Sequence, residues 1–231
     1  MFNAQFPQKP HLTKEEYVYN TLRTAIMRCE LEPGKRLVID NLSVELGVSP
    51  IPIRGALQRL QAEGLVEITP HTGAVVSEIS PDHVNEIFML LEALESMAVR
   101  VLVQKASEAD IAHLRQLVKV MEEAHRADDV DRWSDLNMEF HCTVAQMTQM
   151  KTLIRFTGRV WDSWNRLRRC YLKPIVSVRI PRSQVEHHQM IELLERRDAD
   201  GLAELATQHN SQARETYQQL IQNQIVKGDV L

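Results

Sequence analysis

Apolar side chains along the first third of the chain switch between two spacings. Thr13-Lys14-Glu15-Glu16 reads as a capping box. Val18, Leu22, Ala25, Ile26 and Cys29 then recur at helical intervals until Glu32-Pro33-Gly34 stops the helix. Asp40 is expected to cap a short second helix carrying Leu42 and Leu46. Gly47-Val48-Ser49 makes a turn into a third helix, with Ser49 as N-cap and Pro50 at the first helical position. Ile53, Ala56, Leu57 and Leu60 give that helix one apolar face, and Gly64 ends it. Two short strands are then expected, Leu65-Val66-Glu67-Ile68-Thr69 and Ala74-Val75-Val76-Ser77, around Pro70-His71-Thr72-Gly73. Together these elements describe a winged helix-turn-helix.

From Ser80-Pro81-Asp82, read as a capped helix start, only helical periodicity is found. The expected helices are 82–104, 108–126, 130–148, 151–170, 182–197 and 199–223, and Tyr171 to Pro181 is the longest gap. The fold class is therefore mostly α: an N-terminal winged helix-turn-helix followed by an all-α bundle of about six helices. The expected organisation is a flexible tail at 1–12, a DNA-binding domain at 13–79, a helical sensing and dimerisation domain at 80–223, and a tail at 224–231.

Composition changes this picture little. At 44% hydrophobic and 25% charged, the 231 residues are ordinary globular material. No stretch approaches a membrane span, no secretory leader is visible, and Cys29, Cys142 and Cys170 have no zinc-site spacing. A cytoplasmic protein is expected. The charge of −4 does not advertise nucleic-acid binding, and residues 1–80 hold 8 Lys and Arg against 9 Asp and Glu. Any DNA function must rest on where charge sits. The third helix has no acid before Glu63 and offers Ser49, Arg54, Gln58, Arg59 and Gln61 off its apolar face. That suits the N-terminal part of a helix lying in the major groove. At the wing, Gly73 permits close approach, and His71 or Thr72 can donate to phosphate.

The run Pro33-Gly34 … Leu42 … Leu46-Gly47-Val48-Ser49-x-x-Pro52-Ile53-Arg54-x-Ala56-Leu57-x-x-Leu60-x-x-Glu63-Gly64-Leu65-Val66 … Gly73 resembles the GntR family of bacterial transcription regulators. The resemblance implies DNA contact by Ser49 and Arg54, assisted by the Gly73 wing. This chain has Pro50 where the family usually has Arg or Lys, Ile51 where it often has Thr, and Gly55 in place of Glu. Arg is the commonest reader of guanine, so an operator unlike the usual family half-site is expected. The full expected DNA-facing set is Ser49, Ile51, Arg54, Gln58, Arg59, His71, Thr72 and Gly73.

Seven of the nine histidines follow residue 80. Three lie on apolar stripes: His141 with Phe140, Val144 and Ala145, His187 with Met190, Ile191 and Leu194, and His209 with Leu202, Leu205 and Ala206. Such imidazoles need partners, either hydrogen-bonded neighbours in the core or an ion. Periodicity leaves both open; neutral imidazoles suit zinc, nickel or another first-row divalent ion. Residues 80–223 are similar to the helical effector-binding (FCD) domain of the FadR-type branch, closer to its VanR-like subgroup. That likeness rests on Asn137-x-x-Phe140-His141, on Glu186-His187 with Ile191 and Asp198 downstream, and on His209. It implies His141, His187 and His209 as ligands of a divalent metal. Asn137 stands where many members carry an Asp ligand. The resemblance also implies a small-molecule effector, an organic acid, bound beside the metal. Glu95 matches a family Glu, but Leu91 occupies the place of the family's acid-holding Arg. Arg155, Arg159, Arg166 and Arg168 crowd one helix and either replace it or face water; Leu91, Glu95, Arg159 and Arg166 form the expected effector set.

The functional expectation is a homodimeric regulator on a palindromic operator, its DNA affinity tuned by an effector. The alternative is a metal-dependent hydrolase built on the bundle with an accessory winged helix, since three His and an open position resemble a hydrolytic zinc site. No His-Glu-x-x-His helix supports it. A module whose helix-turn-helix packs protein is the third reading.

Overall fold

Thr13 caps α1 (Lys14–Met27) in a full capping box with Glu16, an arrangement that stabilises a helix start by about 1 kcal/mol. The computed structural model describes residues 12–69, 73–79 and 83–227, the side chains at 173, 174 and 224–227 excepted. The expected tail before Leu12, the wing residues His71 and Thr72, and the helix start at Ser80-Pro81-Asp82 lie outside the described residues. The chain divides into two compact units between Ile79 and Ser80.

In the first unit α1 leads to β1 (Arg36–Leu37), α2 (Ile39–Leu46), α3 (Pro50–Ala62), β2 (Val66–Thr69) and β3 (Gly73–Val76). The N-cap of α2 is Val38, not Asp40, which sits in the first turn; no side chain caps this helix. Gly47 takes φ 65°, the left-handed conformation that turns the chain between α2 and α3 without a Cβ penalty. The sheet has three strands in the order β1-β3-β2, both pairings antiparallel. Sequence patterning found β2 and β3 but not β1, whose two residues are too few to show alternation. Leu22, Ile26, Leu46, Ile53, Leu57 and Leu60 are fully buried between the helices. Each contributes roughly 1.5–3 kcal/mol by leaving water.

The second unit contains α4 (His83–Lys105), α5 (Glu108–Arg126), α6 (Val130–Met147), α7 (Lys151–Leu167), α8 (Lys173–Val176), α9 (Ile180–Glu195) and α10 (Ala199–Lys227), with no strand among its described residues. α4 packs along α10 and against α7, and α5 packs on α6 and α9. The expected gap at 171–181 is not an open loop. A π-helical turn (Arg168–Leu172), α8 and a 3-10 turn (Ser177–Arg179) carry the chain through it. Prolines at 174 and 181 lack the N–H an uninterrupted helix requires there. Ser107 caps α5 in a second capping box, and the stripe Ile111, Leu114, Val118 and Met121 fills the core beside Leu102 and Leu194.

Candidate functional site

α3 places its chemistry in the open. Ser49 is the N-cap, but its hydroxyl makes no cap hydrogen bond. Ser49, Arg54 and Gln58 are exposed, and Arg54 makes no ion pair among the described residues. Ile51 is 81% exposed, an unusual position for a β-branched aliphatic side chain. Gly73 opens β3 with φ 98°. Arg59 departs from the expected set. Its guanidinium is turned back onto α1, 3.9 Å from the centroid of the Tyr19 ring and 3.9 Å from Glu15. Gly55 belongs to the same clamp: a Cβ there would meet the Glu15 carboxylate. The loss of the family's Glu at 55 thus lets Glu15 of α1 lie over α3.

In the helical unit three elements each deliver one imidazole to a common point. His141 (α6), His187 (α9) and His209 (α10) are buried, with ring centroids 5.2, 5.3 and 5.0 Å apart pairwise. One ligand nitrogen from each falls within 4.8 Å of the others. His141 Nε2 and His187 Nε2 are 3.2 Å apart. Two imidazole nitrogens bound to one ion at about 2.0–2.1 Å stand about 3.0–3.4 Å apart, so the spacing fits an ion as well as a proton.

Carboxylates orient two of the rings. His141 Nδ1 lies 3.2 Å from Glu95 Oε2, and Glu95 also accepts from Trp161 Nε1 (3.1 Å) and Asn210 Nδ2 (2.7 Å). His209 Nδ1 lies 2.7 Å from Glu186 Oε2, which accepts from Arg179 Nη2 at 2.6 Å, while Arg182 Nε donates to Oε1 at 2.8 Å. With the Nδ1 protons held by carboxylates, Nε2 of His141 and of His209 keep lone pairs for an ion. His187 Nδ1 is buried without a hydrogen-bond partner, as is Asn137 Oδ1. Burial first, then the neighbouring His209, His141 and Arg179, hold His187 well below the ordinary histidine value, so it is neutral. Burial also lowers His209, against the pull of Glu186. Desolvation pushes Glu186 upward, but His209 and Arg179 outweigh it and hold the carboxyl at about 2. Three converging imidazoles, carboxylates behind two of them and an orphaned amide oxygen make a donor set suited to a divalent transition metal.

Beside the triad lies a cavity of about 30 Å³ whose wall includes Asn137, Trp161, Trp164, Arg168, Arg179 and His209.

These features coincide with known proteins. Residues 86–212 match the FCD domain, and residues 14–76 match the bacterial regulatory proteins of the gntR family. The chain belongs to the GntR family, in its FCD branch. It is 26% identical to the HTH-type transcriptional regulator McbR of Escherichia coli (strain K12), covering 86% of this chain and 92% of that one. It is also 26% identical to the HTH-type transcriptional repressor RspR of the same strain, covering 90% of each. The solved structure of E. coli McbR/YncC superimposes with a TM-score of 0.74 at 24% identity over 90% of this chain and 99% of that one. A GntR structure from Rhodococcus sp. RHA1 gives 0.73 at 17% identity over 89% and 98%. This GntR regulator is therefore a DNA-binding transcription regulator, as McbR and RspR are named transcription regulators. The hydrolase alternative finds no support in the geometry either. Glu186, the acid next to a ligand-type histidine, is already engaged by His209, Arg179 and Arg182. Among the described residues no helix is long and apolar enough to cross a membrane.

The expected effector residues stand in different surroundings. Leu91 is fully buried, a packing residue, and Arg159 is exposed on α7. Arg166 is buried, but the cavity wall takes its cations from Arg168 and Arg179 instead. Glu95 serves behind His141. Arg179 escaped the sequence reading because it stands inside the gap between periodic segments, where no helical face could be assigned.

Proposed function

We propose that this regulator holds a divalent metal, zinc or nickel, on His141, His187 and His209 with Asn137 Oδ1 as a fourth donor. A small organic acid binds beside the ion. Two copies of the chain, with domains at 13–79 and 80–223, bind a palindromic operator in the cytoplasm through Ser49, Ile51, Arg54, Gln58 and the Gly73 wing, with His71 and Thr72 at its tip. The dimer face is sought on α4, where Leu90 and Met97 stand exposed one heptad apart. The acid acts through its different affinities for the DNA-competent and DNA-incompetent states.

The observation that carries the metal is the buried triad backed by Glu95 and Glu186. Glu95 and Glu186 behind His141 and His209 hold the Nδ1 protons of these two rings, which leaves the Nε2 lone pair of each for an ion. Asn137 adds no charge, so the ion is held less tightly than by a family member with Asp there. Elemental analysis of protein purified without chelator tests this. About one divalent ion per chain is expected, and none in His187→Ala. Wild-type protein without stoichiometric metal, which takes none up on dialysis against zinc or nickel, overturns the reading.

A further inference from the structure

We infer that Arg36, on the edge strand of the small sheet, holds a backbone phosphate of the operator beside the wing. The inference rests on the reading above that the Gly73 wing meets DNA, and it names a contact that β1 supplies. Specific and non-specific binding alike draw on phosphate contacts from Lys and Arg. The first unit has few cations free to make them. Among its described residues Arg23 pairs with Glu63 (3.1 Å), Arg28 reaches Glu30 (4.0 Å), and Arg59 lies on Tyr19 beside Glu15. On α3 that leaves Arg54, because Pro50 holds the place of the family's cation. Lys14, Lys35 and Arg36 are the other exposed cations that make no ion pair among the described residues.

Of these, Arg36 is aimed by the sheet. β1 is an edge strand in the order β1-β3-β2. Arg36 is paired with Val75 of β3, and Val75 in turn with Glu67 of β2. Paired residues put their side chains on one face of a sheet, and successive residues alternate between faces. The next row is Leu37, Ala74 and Ile68, and it holds the buried Leu37 and Ala74, so it is the inner row. The Arg36 row therefore faces outward, and Arg36 and Glu67 are both exposed. Arg36 also lies against the glycine of the wing: a Cβ built on Gly73 would stand 3.9 Å from Arg36 Nε. Gly73 takes φ 98° and carries no side chain, so strand backbone and guanidinium can approach one phosphate together.

Charge gives the wing a direction. On the β1 edge Lys35 and Arg36 outweigh Glu78, whose carboxylate lies over Gly34. On β2 the charged residue is Glu67, two strands from Arg36 and roughly 10 Å across the sheet. A polyanion is drawn to the first edge and repelled from the second. The planar fork of a guanidinium matches phosphate geometry. Such a contact fixes register and orientation without reading a base, which makes Arg36 a positioning residue.

The test is the salt dependence of DNA binding by the full chain. Affinity for a duplex from its own promoter region, and for a random duplex of equal length, is measured between about 50 and 200 mM KCl. Arg36→Gln is expected to reduce the slope of log affinity against log salt by about 0.9, the contribution of one phosphate contact. It should weaken both duplexes by about five- to tenfold near 0.1 M salt. Arg36→Lys is expected to restore the slope, since the contact is one of charge. Both variants should melt like the wild type, as an exposed residue on a sheet edge allows. Gly73→Ala, taken through the same titrations once its melting curve shows it folded, reports on the wing itself and is expected to weaken both duplexes. An unchanged slope in Arg36→Gln, a slope that Arg36→Lys fails to restore, or a loss confined to the promoter duplex overturns the inference. If Arg36→Gln is unchanged while Gly73→Ala binds weakly, the wing reading outlives it; if both bind like the wild type, that reading falls as well.

Discussion

The two units of this regulator arrange functional side chains in opposite ways. On α3 the residues proposed to face DNA stand in solvent, and Arg54 is held by no ion pair among the described residues. In the helical unit the functional groups are buried and tied to one another, His141 to Glu95 and His209 to Glu186 and through it to Arg179. The difference follows from the partners. DNA arrives from outside with its own ordered array of donors and acceptors, so the protein need only present side chains at helical spacing. The ion and small acid proposed for the helical unit would have to be surrounded, which obliges a fold to desolvate charges and then compensate each one.

The contrast makes different kinds of damage. The largest effect is expected from Leu91→Ala, which leaves a void in the helical core and costs about 2–5 kcal/mol in chemical denaturation. Because Leu91 is fully buried and does not line the cavity beside the triad, acid affinity monitored by the visible absorption of Co2+-loaded protein should hold within a few fold. A variant of normal stability that no longer binds acid would return Leu91 to the site. Next comes Arg54→Ala, expected to weaken operator binding by about 1–3 kcal/mol in gel shifts while leaving the melting curve unchanged, as an exposed and unpaired side chain should. A loss of stability there would blur the distinction between the units. A smaller effect is expected from acid. In metal-free protein His187 and His209 are held below 6.5 when folded and return to it when unfolded, so the unfolded chain binds more protons below that pH. Stability is therefore fully present above about pH 6.5 and falls as the pH drops, by at most about 1.4 kcal/mol per pH unit for each proton. Thermal melts of chelated protein that stay flat from pH 7.5 to 5.5 would show that burial does not hold His187 and His209 neutral. The smallest effect is set for Ile51, whose exposed side chain can offer only an apolar surface to a base edge. Replacing operator thymines singly by deoxyuridine should cost about 1 kcal/mol or less at one position, and nothing there in Ile51→Ala.

What could be read from the sequence divides along the same line. The Thr13 and Ser107 capping boxes, the Ser49 cap and the Gly47 turn are local chemistry, legible within a few residues. The three histidines announced themselves by sitting on apolar stripes. Their convergence did not, because periodicity gives each helix a face but not the helix that face meets. β1 was too short to leave a pattern, and Asp40 suggested a cap that the chain places two residues earlier at Val38. Arg59 looked like a free cation; Tyr19 and Glu15 on a separate helix claim it. Glu95 and Glu186 gain their roles from pairings with His141 and His209, distant along the chain, that leave no local trace, and Arg179 gains its role from its place beside Glu186.

The most direct measurement is operator affinity of the full chain on its own promoter DNA, with and without a small organic acid (acetate, L-lactate or benzoate), in metal-loaded and chelator-stripped protein. The acid should shift the affinity of the loaded protein at least about fivefold and leave the stripped protein unmoved, the usual scale of such coupling. An equal shift in both forms, or none in either with any of these acids, would contradict a regulator that senses an acid through a metal held by His141, His187 and His209.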